Sequence, residues 1–142
     1  MTLRFEVFGR CAPQGSKRYV GGNKAQGGRF IEASKYLPAW RKVVTETATH
    51  QIYEQNWQMV ETPICLQVTF YLERPSTVSF TKRPLPIKAP DLDKLVRAVC
   101  DSLTDARVWI DDALVVKLVA SKKYADGRQP GAKIEVTVVE DD

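Results

Sequence analysis

Leu3, Phe5 and Val7 alternate with Arg4, Glu6 and Phe8 ahead of Gly9, a period of two that predicts a first strand with one buried face. The stretch from Cys11 to Arg18 and the glycine pairs Gly21-Gly22 and Gly27-Gly28 break that pattern and predict a loop, interrupted by a short strand at Arg29-Phe30-Ile31. Ser34 can cap a helix whose first turn accepts Pro38, and Leu37, Trp40, Val44 and Ala48 then recur at helical spacing toward Trp57. From Ile64 the alternation Ile64, Leu66, Val68, Phe70, Leu72 against Cys65, Gln67, Thr69, Tyr71, Glu73 predicts a half-buried strand. Pro75, Pro84, Pro86 and Pro90 bar residues 74–90 from a helix or a sheet interior, so a long, basic and mobile loop is expected there. Leu92, Leu95, Val96, Val99 and Leu103 keep one helical face apolar and predict a second helix ending near Thr104. Two further strands, near 114–124 and 132–139, flank the turn from Asp126 to Gly131.

No repeat or linker divides this pattern, and 142 residues suit one domain. The expected fold is α+β: residues 1–142 form a single domain, a mixed sheet of about four strands packed with two main helices. Apolar residues at 44% and charged residues at 27% are those of a globular chain. No apolar run reaches the roughly 18 residues a membrane span needs. The polar start from Met1 to Glu6 lacks a basic-then-apolar leader, so a soluble, cytoplasmic protein is expected, with no membrane partner.

Cys11, Cys65 and Cys100 are odd in number and far apart, which argues against a disulfide framework or a zinc knuckle and for buried thiols. His50 is the one histidine, so any metal must be held mainly by oxygen. Mid-helix, it reads as a surface or packing residue, and Trp40, Trp57 and Trp109 read as core or interface. A net charge of +4 allows a polyanionic partner without requiring one.

Chemistry concentrates in Pro90-Asp91-Leu92-Asp93-Lys94-Leu95-Val96-Arg97 and in Asp111-Asp112 after the helix. Pro90 favours an extended approach, which places Asp91 just before the helix and Asp93 at its start, with both carboxylates at one helix end. A return of the chain across that end would add a third. Clustered carboxylates repel unless a cation neutralises them, and an all-oxygen set suits Mg²⁺ or Mn²⁺, which can polarise a phosphodiester and activate water. The plainer alternative is a cap at Asp93 and an ion-paired stripe of Asp93, Arg97 and Asp101, with Asp111-Asp112 an ordinary turn.

Two further stretches are basic. In Pro13-Gln14-Gly15-Ser16-Lys17-Arg18, Gly15 lets backbone approach a phosphate while Gln14, Ser16, Lys17 and Arg18 supply donors; the spacing is not that of a Walker A loop. Lys82, Arg83 and Lys88, with Phe80 nearby, could track or wedge a nucleic acid strand. A solvated basic turn and a solubilising loop are the alternatives.

Taken together these residues resemble the RusA family of Holliday junction resolvases. Its pattern, approximately P-D-x-D-N-x-x-K-x-x-x-D-x-L and then a D-D pair before apolar residues, is matched from Pro90 to Leu103 and by Asp111-Asp112 ahead of Ala113 to Val116. The G-x-x-x-P-Q-G-S-K-R segment from Gly9 to Arg18 is similar to the family's opening. The resemblance implies a homodimeric, Mg²⁺-dependent endonuclease that resolves four-way DNA junctions by paired nicks, of bacterial, prophage or phage origin. It implies Asp91, Asp93 and Asp112 as metal ligands, Asp111 as a weaker candidate and Asp101 as a supporting carboxylate. Arg97 stands where the family carries a catalytic-site Lys; it keeps the charge but cannot give up a proton. Lys94 stands where the family has Asn and joins Gln14, Ser16, Lys17, Arg18, Lys82 and Arg83 as a candidate DNA contact. A non-catalytic DNA-binding module explains the basic loops and not the carboxylates, and a metal-binding or structural partner protein does the reverse. Only a metal-dependent nuclease uses both, and a general branched-DNA nickase is the alternative to a junction resolvase.

Overall fold

A computed structural model describes residues 1–15 and 35–140. The expected contacts at Ser16, Lys17 and Arg18, the strand at Arg29 to Ile31 and the cap at Ser34 lie outside the described residues. The elements are β1 (Thr2–Phe8), α1 (Leu37–Glu54), β2 (Ile64–Leu72), α2 (Leu92–Asp105), a 3-10 turn (Asp112–Leu114), β3 (Val115–Tyr124) and β4 (Gly131–Val138). The sheet runs in the order β1-β4-β2-β3, with β4 antiparallel to both β1 and β2, and β3 parallel to β2. Two helices on a mixed four-stranded sheet make the α+β fold that the hydrophobic pattern predicts.

The core lies where the periodicities meet. Leu3, Phe5 and Val7 of β1, Ile64 to Phe70 of β2 in alternation, and Ala132, Ile134 and Val136 of β4 present one buried face. Trp40, Val44 and Ala48 of α1 and Leu95, Val99 and Leu103 of α2 cover it. All three tryptophans are buried, as expected. His50 lies on the exposed side of α1, with Nε2 3.7 Å from a carboxylate oxygen of Glu54. Cys11 is buried, while Cys65 and Cys100 are only partly covered, so the buried-thiol expectation holds in full for one of the three.

Helix α1 ends at Glu54, before Trp57. Trp57 reaches the core from the connection, donating its indole N–H to the carbonyl of Val108 at 2.9 Å. At the sheet's other end Gly131 lies against Phe8 in the β1–β4 register, and a Cβ there would stand 2.0 Å from the carbonyl oxygen of Val7. No side chain fits that approach. Among the described residues β3 is one of the two edge strands, and Val116, Leu118 and Val119 are exposed along it.

Because β2 and β3 are parallel, the chain between them must cross from one end of the sheet to the other. That crossover is the Pro-rich loop, α2 and the turn that carries Asp111 and Asp112. It fixes where the acidic residues can go.

Candidate functional site

Helix α2 begins just after Pro90, at a residue type that favours the N-cap. Asp91 is its N-cap in an extended conformation, φ −70° and ψ 138°, and its side chain makes no capping hydrogen bond. The carboxylate is therefore left to other partners, and the ammonium of Lys94 lies 3.8 Å from it. Asp93 follows in the first turn, where the helix dipole favours negative charge. Lys122 of β3 holds the approach to this end, donating to the carbonyls of Pro90 at 2.8 Å and Lys88 at 2.9 Å. The Gln14 N–H donates to the carbonyl of Lys94 at 3.0 Å, so the N-terminal loop is pinned to the same turn.

The second acidic group is built separately. Trp109, buried, donates its indole N–H to the Thr104 hydroxyl at 2.8 Å, and the backbone on either side of it bridges to Val60 through Val60 N to Val108 O and Ile110 N to Val60 O. This ties the segment after α2 back against the 57–60 connection and sets the turn. Asp111 caps the turn by accepting from the Ala113 N–H at 3.1 Å. The Asp112 carboxyl is held above the usual carboxylate range, first by partial burial, then by a hydrogen bond with Asp111 and by the charges of Asp111 and Asp101, while Arg97 pulls the other way. The Cys100 thiol is pushed up to about 12, mainly by burial and then by Asp112 and Asp101.

The structure thus sets Asp112 beside Asp111, Asp101 and Arg97, at mid-helix. The chain does not return across the start of α2, because the parallel crossover delivers it to the opposite end. Asp101 stands eight residues after Asp93, about 12 Å along the axis at about 1.5 Å per residue. Among the described residues no group of three His, Cys, Asp or Glu side chains surrounds one point. Nor is the stripe of Asp93, Arg97 and Asp101 closed by ion pairs among the described residues; the α2 pair that forms is Lys94 with Asp91.

A cleft of about 1250 Å³ opens between the N-terminal loop and the 74–90 loop and reaches Asp91. Of the candidate DNA contacts, Gln14, Arg83 and Lys94 line it. Lys82 is exposed on the loop and is not among the lining residues. The expectation of a mobile loop meets an organising residue at Arg74. Its guanidinium donates to the carbonyls of Ser79, Arg83 and Pro84 and pairs twice with Asp126 at 2.9 Å. It also lies 4.1 Å over the Tyr124 ring. The pairing raises the Arg74 pKa, chiefly through the hydrogen bond to Asp126, and lowers that of Asp126.

Sequence reasoning missed Arg10 and Arg74, both of which line the cleft. The cue for Arg10 is its place one residue before the Cys11 loop, and Arg10 sits 3.6 Å over the Tyr36 ring. For Arg74 no local cue exists, since its partner Asp126 is far along the chain.

The family model described as endodeoxyribonuclease RusA matches residues 10–137. Among curated proteins none matches the chain. No helix among the described residues is long and apolar enough to cross a membrane.

Proposed function

The chain belongs to the RusA family of endodeoxyribonucleases, and from that premise we propose that it is a Mg²⁺-dependent, structure-selective nuclease. It resolves four-way DNA junctions by paired symmetric nicks, as a homodimer, in recombination and repair in the cytoplasm of a bacterium or of a cell carrying its phage. Mn²⁺ serves in place of Mg²⁺. One observation carries the reading: the start of α2, with Asp93 in its first turn, brings Asp91 and Lys94 to a cleft whose charged lining is mainly cationic.

The donor chemistry fits a hard divalent cation. Asp91 makes no capping hydrogen bond, and Asp112 stands among like charges that leave it electrostatically unsatisfied. Asp91, Asp93 and Asp112 would hold the ion, with water and phosphate oxygens completing a shell that Mg²⁺ seldom fills with protein alone. Bound there, it would polarise the scissile phosphodiester and lower the pKa of an attacking water. Arg97, exposed and next to Asp112 in charge, faces the negative charge that develops on the phosphorus oxygens; being a permanent cation it contributes attraction and no proton. Lys94 and Arg83, with Gln14 and the expected Ser16, Lys17 and Arg18, hold the backbone, while Lys82 extends the basic surface along the loop.

The two acidic groups stand apart in one chain, and a second copy reconciles them. In a two-fold dimer, Asp91 and Asp93 of one protomer can meet Asp112 of its partner, which gives two equivalent sites for two symmetric cuts. The test is cleavage of four-way junction, flap and plain duplex with Mg²⁺ or with EDTA, for the native chain and for Asp91→Asn, Asp93→Asn and Asp112→Asn. Metal-dependent cutting of the junction that each substitution abolishes, with junction binding retained, is expected. Full activity in any two variants refutes the ligand assignment, and equal cutting of all branched substrates favours a general nickase.

A further inference from the structure

The cleft that ends at Asp91 is not shaped or lined for a duplex. Its volume of about 1250 Å³ is a little above the roughly 300–1,000 Å³ of small-molecule sites, enough for a few nucleotides and far too little for a double helix. Its interior carries apolar surface, with Leu37 and Leu72 in its walls, while Arg10, Arg83, Lys88 and Lys94 are among its cations; the carboxylates in the lining are Glu73 and Asp91. A duplex turns its phosphates outward and keeps its bases stacked inside, so it cannot offer a base to such a recess. An unpaired strand offers both a polyanionic backbone and apolar base faces, which is the complement of this lining.

Gln14 adds a fixed polar group. It is 9% exposed and lines the cleft, and its side-chain oxygen accepts from Arg41 Nη1 at 3.5 Å. Arginine has donors and no acceptor, so the oxygen must be the atom facing Arg41, and among the described residues the amide nitrogen donates to nothing and points to whatever enters. Arg41 is itself anchored by Asp105.

We propose that this cleft binds a short unpaired stretch of the DNA strand, its phosphates on Arg10, Arg83, Lys88 and Lys94, its bases against the apolar walls, and a base acceptor on the Gln14 amide. The proposal rests on the nuclease reading for DNA as the substrate, and it adds that the strand must leave its duplex to reach the site.

Ser76 and Gln129 line the cleft and are exposed, so glutamate at either position sets a negative charge against the strand's phosphates without entering the core. Anisotropy with a labelled short oligothymidylate, competed by unlabelled oligothymidylate or by a duplex of the same length, reads the preference. The single strand is expected to bind at least about tenfold better than the duplex, and Ser76→Glu and Gln129→Glu each to weaken it by about tenfold. Iododeoxyuridine in the oligonucleotide should crosslink to cleft peptides. Equal binding of strand and duplex, unchanged affinity in both variants, or crosslinks confined to the open sheet face would each overturn the assignment. Junction cutting that persists without strand preference removes the cleft proposal alone. Strand binding in the cleft by a protein that cuts no branched DNA upholds it and removes the nuclease reading.

Discussion

Mixing two inactive variants tests how the acidic groups combine. Mg²⁺ binds oxygens at about 2.0–2.1 Å, so no single ion spans the roughly 12 Å that eight helical residues put between the levels of Asp93 and Asp101. Asp112 is grouped with Asp101 and Arg97, about 6–12 Å along α2 from Asp93, and not with Asp93 itself. If each site joins Asp93 of one protomer to Asp112 of the other, Asp93→Asn and Asp112→Asn are dead alone but complement in a mixed dimer. One of the two sites then carries both substitutions and the other carries neither. Free reassortment makes about half of the dimers mixed, and each keeps one good site, so about one quarter of native nicking should return. The assay is a supercoiled plasmid with an extruded cruciform, incubated with the two variants after joint unfolding and refolding. The product should be nicked circle with little linear DNA, because a mixed dimer can cut one strand only. A mixture of Asp91→Asn and Asp93→Asn, both on the same side, should stay inactive. Activity of the first mixture no higher than that of its parents would refute the shared site.

Gly131→Ala should be among the most damaging single changes in the sheet, because its Cβ would stand 2.0 Å from the Val7 carbonyl oxygen. A loss of about 4 kcal/mol or failure to fold is expected; a denaturant midpoint within error of native would show that β1 gives way freely. The Cys11 thiol, pushed up to about 12 chiefly by burial, stays protonated in the folded chain while the unfolded chain ionises near 9.0. The folded state therefore holds the extra proton between those values, so stability is unaffected below pH 9 and falls as pH rises toward 12, by up to about 1.4 kcal/mol per unit. Denaturant titrations at a series of alkaline pH values should show a shallower fall for Cys11→Ala, and identical slopes would contradict the assignment.

Much of the fold is legible from side-chain rhythm alone. Ile64 to Leu72 alternate because one face of β2 is buried, and Leu92 to Leu103 repeat because one face of α2 is. What rhythm does not carry is the direction in which β3 runs beside β2. That direction sends Asp112 to mid-helix instead of to the helix start, and it comes from the sheet as a whole. Arg74 illustrates the same limit: its role depends on Asp126 in a turn on the far side of the crossover. The candidate residues at the start of α2 were legible because Pro90 and a cap position act locally. The helical spacing runs toward Trp57, but the helix stops at Glu54, and Asn56 at φ 54° turns the chain so that the indole enters the core from the connection.

The position of β4 has a consequence for how the protein comes into being. Strand β4 lies between β1 and β2, so among the described residues β1 has no sheet neighbour until β4 arrives. A ribosome releases the crossover, with all of its acidic residues, well before it releases residues 131–138. Pairing segments so far apart carries a loop-closure cost, which is met only once residues 131–138 have been made. The nascent chain is then a poor framework for cutting DNA, and synthesis stalled ahead of Gly131 leaves a fragment fit for proteolysis. Until residues 131–138 join the sheet β1 and β2 lack the strand that bridges them, and chains arrested before Gly131 should be digested by protease far faster than chains that include β4.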